Sequence, residues 1–391
     1  MPGTILSARM KYTILAVIIA ALGVTACGSG GTIVNKSEGG LQPIDIRSPK
    51  FFYLLHPWKE GKLATLDGWA RFSEISFKGP DKIRIKHLVN FPRWKIDNMF
   101  TVWPEADLWW ITSARMNHIA YLPANFKKSF IPYLTGMYNE YLPLLLDAEE
   151  GIMVFIYGRI KLGSTGRHYV FYNYKQDKVI YETPRDEDDP VIYNDFLDEG
   201  VLLGFTHEKT DVGLRANHFI YDWKTGTRTE NELTKKMNEL RLTVFCINMA
   251  KRFCIAEDNT TRTFIKMDWD ENYENINVVP LEVLLPEGKR NMGFLLSSNG
   301  EWAFSMIRPY EGLYGERLYK RAFYHIDSRY PGGISHPVIP DNYTDVSVEW
   351  GVFVNHPVYG MCYAVEHQDE YRQYLRLYRM DDVLAEIDRQ L

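Results

Sequence analysis

The chain has 391 residues, with 45 Lys and Arg against 50 Asp and Glu for a net charge of -5, and 14% of it is aromatic. That much apolar and aromatic material excludes a disordered or collagen-like polymer, and a mean hydropathy of -0.28 with one long apolar run excludes a polytopic membrane protein. A pI near 6.1 offers no basic field to phosphates, so no nucleic-acid partner is expected.

Residues 1–26 read as a signal peptide. Arg9 and Lys11 form a basic start, and Tyr12 to Val24 is an apolar run shorter than the roughly 20 residues of a spanning helix. The run ends Val24-Thr25-Ala26-Cys27, which resembles the bacterial lipobox. The resemblance implies that Cys27 is lipidated and becomes the new N-terminus, with the acyl chains as a membrane partner. Gly28 follows where an inner-membrane retention signal would have Asp, so the resemblance implies the cell envelope, at the outer membrane on its periplasmic or surface face. Residues 27–48 are expected to be the lipidated Cys and a flexible tether, because Gly28 to Gly40 is small and polar.

Residues 49–391 are expected to form one body built from repeats. A Gly or acidic turn, an apolar strand, a polar loop and an aromatic-rich strand ending in Asp or Asn recur along it. The pattern is weak at 105–123 and clear at 149–178, 198–226, 242–272, 299–329 and 359–382. The turn residues Asn173, Asp222, Asp268, Asp327 and Asp381 are 49, 46, 59 and 54 apart. Helical patterns are confined to Asn125–Leu145, which Pro132 and Pro143 interrupt, Asn231–Leu240 and Asp382–Leu391. Even spacing of short strands predicts an all-β propeller of four-stranded blades. Seven blades fit the 343 residues of the body, and six or eight also fit. The rival architecture, a pair of β-sandwiches, predicts no equal spacing.

Two segments carry a family likeness. SSNGEWAFSMI at 297–307 and NHFIYDWKTGTRT at 217–229 resemble successive strands of TolB-like and WD-repeat-like β-propellers. The resemblance implies that loops joining second and third strands crowd one mouth of a central channel, where such folds bind ligands. Those loops bring forward Arg159, Lys161, Arg167, His168, His207, Arg308, Tyr310, Tyr314 and Arg317 as candidate ligand-binding residues. Arg and Tyr supply forked donors and rigid amphipathic area.

Other constellations say less. Cys246 and Cys254 flank a hairpin turn and either pair as a disulfide or serve as small buried hydrophobes. The ten His show no ligand spacing, so neither a metal nor a cofactor is expected. The run Asp186-Glu187-Asp188-Asp189 reads as a solvated loop, as does Glu366 to Glu370. Trp103, Trp109 and Trp110 could stack on sugars, but inter-sheet packing is the expected use of such rings. The expected function is binding or assembly with a protein or other polar ligand. The alternative is a hydrolase acting on glycans or peptides with carboxylates in the channel.

Overall fold

The computed structural model describes residues 41–49, 52–67, 71–90, 98–113, 116–122, 127–130, 138–139, 144–158, 167–182, 191–198, 201–210, 213–249, 251–261, 263–281, 290–311, 317–340, 351–368 and 372–391. The signal peptide, Cys27 and the tether to Gly40 lie outside the described residues, as does the acidic run 186–189.

Among the described residues the strands form seven antiparallel sheets. Strand β1 (Ile44–Ser48) pairs with the last strand of the chain. The first sheet is β2 (Phe52–Pro57), β3 (Leu63–Asp67), β4 (Arg71–Phe77) and β5 (Ile83–Asn90). The second is β6 (Asn98–Trp103), β7 (Leu108–Ser113), β8 (Met116–Leu122) and β9 (Lys127–Phe130). The third has β10 (Tyr138–Asn139) and β11 (Leu144–Asp147) both on β12 (Ile152–Gly158), followed by β13 (Arg167–Asn173) and β14 (Lys178–Glu182). The fourth is β15 (Val191–Asp198), β16 (Val201–Thr210), β17 (Gly213–Asp222) and β18 (Thr227–Thr229). The fifth is β19 (Leu242–Asn248), β20 (Phe253–Asp258), β21 (Phe264–Asp268) and β22 (Asn277–Leu281). The sixth has only β23 (Arg290–Leu296), β24 (Trp302–Glu311) and β25 (Arg317–His325). The seventh runs β26 (Val352–His356), β27 (Gly360–Gln368), β28 (Gln373–Arg379), with β1 on its outer edge.

Each sheet packs on the next in chain order. Trp109 meets Trp58 and Phe72 edge-on between the first and second sheets, at centroid distances of 5.3 and 5.5 Å. Leu108 and Trp110 join Met153 and Tyr172 between the second and third. Phe171 stacks on Trp223 between the third and fourth, with centroids 5.8 Å apart. Leu203 and Ile220 meet Cys254 and Ile265 next, and Phe253 and Ile255 then meet Ala303 and Tyr324. Phe304 stacks on Tyr363 between the sixth and seventh, and Leu375 and Leu377 reach Leu63 and Ile75 back on the first. The contacts therefore close into a ring, the arrangement of a β-propeller and not of two packed sheets.

Middle strands are covered on both faces, so they read as apolar runs: all but the two end residues of Gln373–Arg379 are buried. The aromatics at recurring positions (Tyr172, Tyr221, Trp223, Trp269, Tyr324 and Tyr378) are buried, as are Trp109 and Trp110. The rings that could have stacked on sugars are inter-sheet packing.

Four expectations need correction. The described residues of 125–145 are strand and not helix, in β9, β10 and part of β11. Ile44–Ser48 belongs to the folded body and not to the tether, because it completes the seventh sheet. Among the described residues the sixth sheet has three strands in place of four, with Val338 bridged to Phe323 beside the third. Glu366, His367 and Gln368 lie in β27, and Glu366 is buried. The two remaining helical patterns are helices: α1 (Glu232–Glu239) has an Asn231 capping box, and α2 (Met380–Gln390) packs Met380, Val383 and Ile387 into the core between the sixth and seventh sheets.

The recurring Asx residues close hairpins. Asn173 Oδ1 accepts the amides of Lys175 and Gln176, Asp222 Oδ1 those of Lys224 and Thr225, and Asp327 Oδ1 that of Arg329. Asp381 differs. It lies in the first turn of α2, because β1 already occupies the place a fourth strand would take.

Candidate functional site

Antiparallel order sends the connections between first and second strands, and between third and fourth, to one face of the ring. The connections between second and third strands go to the other face. The candidate residues chosen from sequence belong to that second set. Gly158 pairs with Arg167 and Tyr157 with His168 near the end of the β12–β13 hairpin. His207 pairs with Ala216 in the β16–β17 hairpin. In the sixth sheet Arg308 pairs with Arg290, Tyr310 with Leu318, and Glu311 with Arg317. Arg159, Lys161 and Tyr314 lie outside the described residues. The hairpins share a face of the ring, but they belong to the third, fourth and sixth sheets.

A cavity opens on the opposite face. It is a groove of about 780 Å³ between the fifth and sixth sheets, lined by Lys251, Phe253, Lys266, Asp268, Asn277, Glu301, His325, Tyr330 and neighbours. After β25 the chain turns at Asp327, passes Gly332 and Gly333 with φ of 76° and 75°, and comes back beside β25, where Val338 pairs with Phe323. A Cβ on Gly332 would lie 3.2 Å from the Pro280 carbonyl oxygen, so the turn sits tightly against β22.

One wall is a hydrogen-bonded pair. The Tyr330 hydroxyl is 3.0 Å from His325 Nδ1, and Arg329 Nη2 is 3.3 Å from the same nitrogen. A guanidinium only donates, so Nδ1 is an acceptor and the imidazole carries its proton on Nε2. Burial first, and then the Arg329 charge, lower the His325 pKa below its usual value, which keeps the ring neutral at pH 7. The Trp302 ring lies 4.6 Å from it, centroid to centroid.

The other wall carries charge. Lys266 Nζ bonds Asp268 and lies 5.1 Å from the centre of the Phe253 ring. Asn299 Nδ2 donates to Glu301 Oε2 at 2.7 Å, and Lys251 Nζ lies 3.9 Å from Glu301 Oε1. Asp327 is engaged in its own turn. Every carboxylate of the groove thus has a cationic or amide partner, and none is paired with another carboxylate. Among the described residues no group of three or more His, Cys, Asp or Glu could hold a metal ion.

Sequence reasoning missed this groove, although the repeat contained a signal for it. Asp268 and Asp327 are turn residues on the same face, and the 59-residue interval between them is the longest of the four. The cysteines are resolved differently. Cys246 pairs with Ile255 and packs with the fifth–sixth cluster, whereas Cys254 pairs with Ile247 and packs with the fourth–fifth cluster. They point to opposite faces of one sheet, and neither is in a disulfide. Burial raises the Cys254 pKa to about 12, and likewise that of Cys362.

No family model matches the chain, and no curated protein matches it in sequence. Solved structures resemble it in fold. An oligogalacturonate lyase in complex with manganese superposes with a TM-score of 0.58 at 9% identity, covering 90% of this chain and 96% of that one. An oligogalacturonate lyase from Vibrio parahaemolyticus gives 0.56 at 10% identity, covering 89% and 96%. At such identity the likeness establishes the propeller fold alone.

Proposed function

We propose that this chain is a lipid-anchored propeller of the cell envelope that binds a polar ligand in the groove between its fifth and sixth sheets. Each of the seven sheets counts as one blade. The observation that carries the reading is the groove itself: a sizeable opening between two neighbouring sheets, walled by a neutral His–Tyr pair on one side and Lys–carboxylate pairs on the other. Such walls offer donors and acceptors without a spare carboxylate pair, which suits recognition better than the two-carboxylate hydrolysis weighed above. The Arg- and His-bearing hairpins of the opposite face are a second candidate surface, for a protein partner.

The test is a ligand-observed NMR screen of neutral and acidic saccharides and short peptides against wild type and Tyr330→Phe/Lys266→Met. Compounds bound by wild type and released by the variant support the groove; equal binding by both removes it. Turnover of a screened glycan or peptide, lost in the variant, would replace binding with catalysis. The anchor is tested separately. Cys27→Ala in the full-length chain should abolish lipid labelling and release the protein from membranes, and labelling that persists would refute it.

A further inference from the structure

The outer strands of the propeller differ in charge, and the difference falls beside the strand that carries the N-terminal segment. The outer strands β14 and β1 each balance one basic against one acidic residue, β18 carries the single base Arg228, and β22 has no charge. Strand β5 has no acid and, with Lys82 just before it, presents Lys82, Arg84 and Lys86 on one face by strict alternation. All three are exposed, while Ile83 and Ile85 turn inward. The acid nearest in register, Glu74 opposite Lys86, has Lys62 Nζ 3.6 Å from its carboxylate. Strand β9, the next outer strand, also lacks acids and places Lys127 and Lys128 opposite Leu122 and Tyr121.

This basic rim lies beside β1. Ile44 and Ile46 of β1 share a core cluster with Ile83 and Ile85 of β5. The chain from Cys27 enters the body at β1 through Gly28–Gly40, at most about 45 Å when extended. A chain of net charge -5 is repelled on average by an anionic bilayer, so a local stripe of three exposed bases next to the attachment strand, outnumbering the Asp81 and Glu74 beside it, sets which side can approach. We infer that the outer edge of the first and second sheets rests against an anionic phospholipid surface, with Lys82, Arg84 and Lys86 as its contacts. The orientation rests on the lipid anchor proposed above; the electrostatic attraction does not.

The experiment uses residues 32–391, one compact unit that contains every strand and no lipid. Its partition onto phosphatidylglycerol-rich vesicles is compared with that onto phosphatidylcholine vesicles, at low and high salt. Wild type should prefer the anionic vesicles and lose that preference at high salt. Lys82→Glu/Arg84→Glu/Lys86→Glu should lower the partition coefficient by at least about 100-fold, and Arg84→Glu alone by about tenfold. Lys178→Glu/Lys224→Glu/Lys235→Glu makes the same change in net charge at exposed sites elsewhere and should leave partition close to wild type. Equal losses in both triple variants, no preference for anionic vesicles, or tight binding to soluble dextran sulfate without vesicle binding would each overturn the inference. A failed Cys27→Ala release assay with intact vesicle preference would refute the anchor and leave the rim standing.

Discussion

The sixth and seventh sheets meet the same need, a covered outer edge, in opposite ways. The seventh borrows β1 from the far end of the chain and locks it with a buried ion pair. Arg376 Nε and Nη2 donate to Asp45 Oδ1 and Oδ2, both at 2.6 Å, at side chains only 8% and 9% exposed. Among the described residues the sixth has three strands, and the chain returning beside β25 makes a single bridge. Where the distant strand is locked in, the sheet is a structural joint. Where the chain returns by a turn, the same architecture yields a groove with titratable walls. The way an edge is covered thus separates holding the ring together from offering a site.

The largest effect expected from disturbing this contrast is at the joint. Arg376→Ala strands the Asp45 carboxylate and should cost about 3–5 kcal/mol, read from chemical denaturation. Asp45→Leu/Arg376→Met should regain most of it, and a double variant as unstable as the single would show that the pair is not the lock. Next is Gly61→Ala, which should cost about 2 kcal/mol. Gly61 has φ of 69°, and a Cβ there would collide with the Asn355 carbonyl oxygen of β26. A cost near zero would mean that the first and seventh sheets can part without loss.

The groove should respond less. Tyr330→Phe removes one hydrogen bond and should cost about 1 kcal/mol, much less than Arg376→Ala. If the two cost the same, the sixth sheet is as much a joint as the seventh. The smallest effect is a pH dependence. His325 has a folded pKa below its usual 6.5, so the unfolded chain binds the proton more readily. Its contribution to stability is complete above pH 6.5 and is lost as pH falls toward the folded value. The melting temperature should therefore drop below pH 6.5, and His325→Gln should flatten that part of the profile.

The ring was legible in the sequence because each hairpin carries its own local chemistry. Asn173, Asp222 and Asp327 close turns through amides two or three residues away, and apolar runs such as that opening Phe253–Asp258 mark strands covered on both faces. What depends on distant partners was not legible. Ile-Asp-Ile-Arg-Ser reads as tether because the Asp and Arg look solvated, and only Arg376 explains why Asp45 can be buried. The groove was hidden for a similar reason, since its walls come from turns of two different sheets. The opposite-face hairpins drew notice through Arg and Tyr content alone, a property of side chains and not of their convergence.

The pairing of β1 with β28 also bears on how the molecule comes to exist. Asp45 and Arg376 are 331 positions apart, so β1 finds its partner only once the six intervening sheets have been synthesised. Six sheets can form from neighbouring segments, but the last waits for both ends, which makes closure a late and slow folding event with a large loop-closure entropy. Until then the edge of β28 is open to strands of other chains. Nascent or truncated chains lacking residues 44–48 should accordingly be the forms that aggregate.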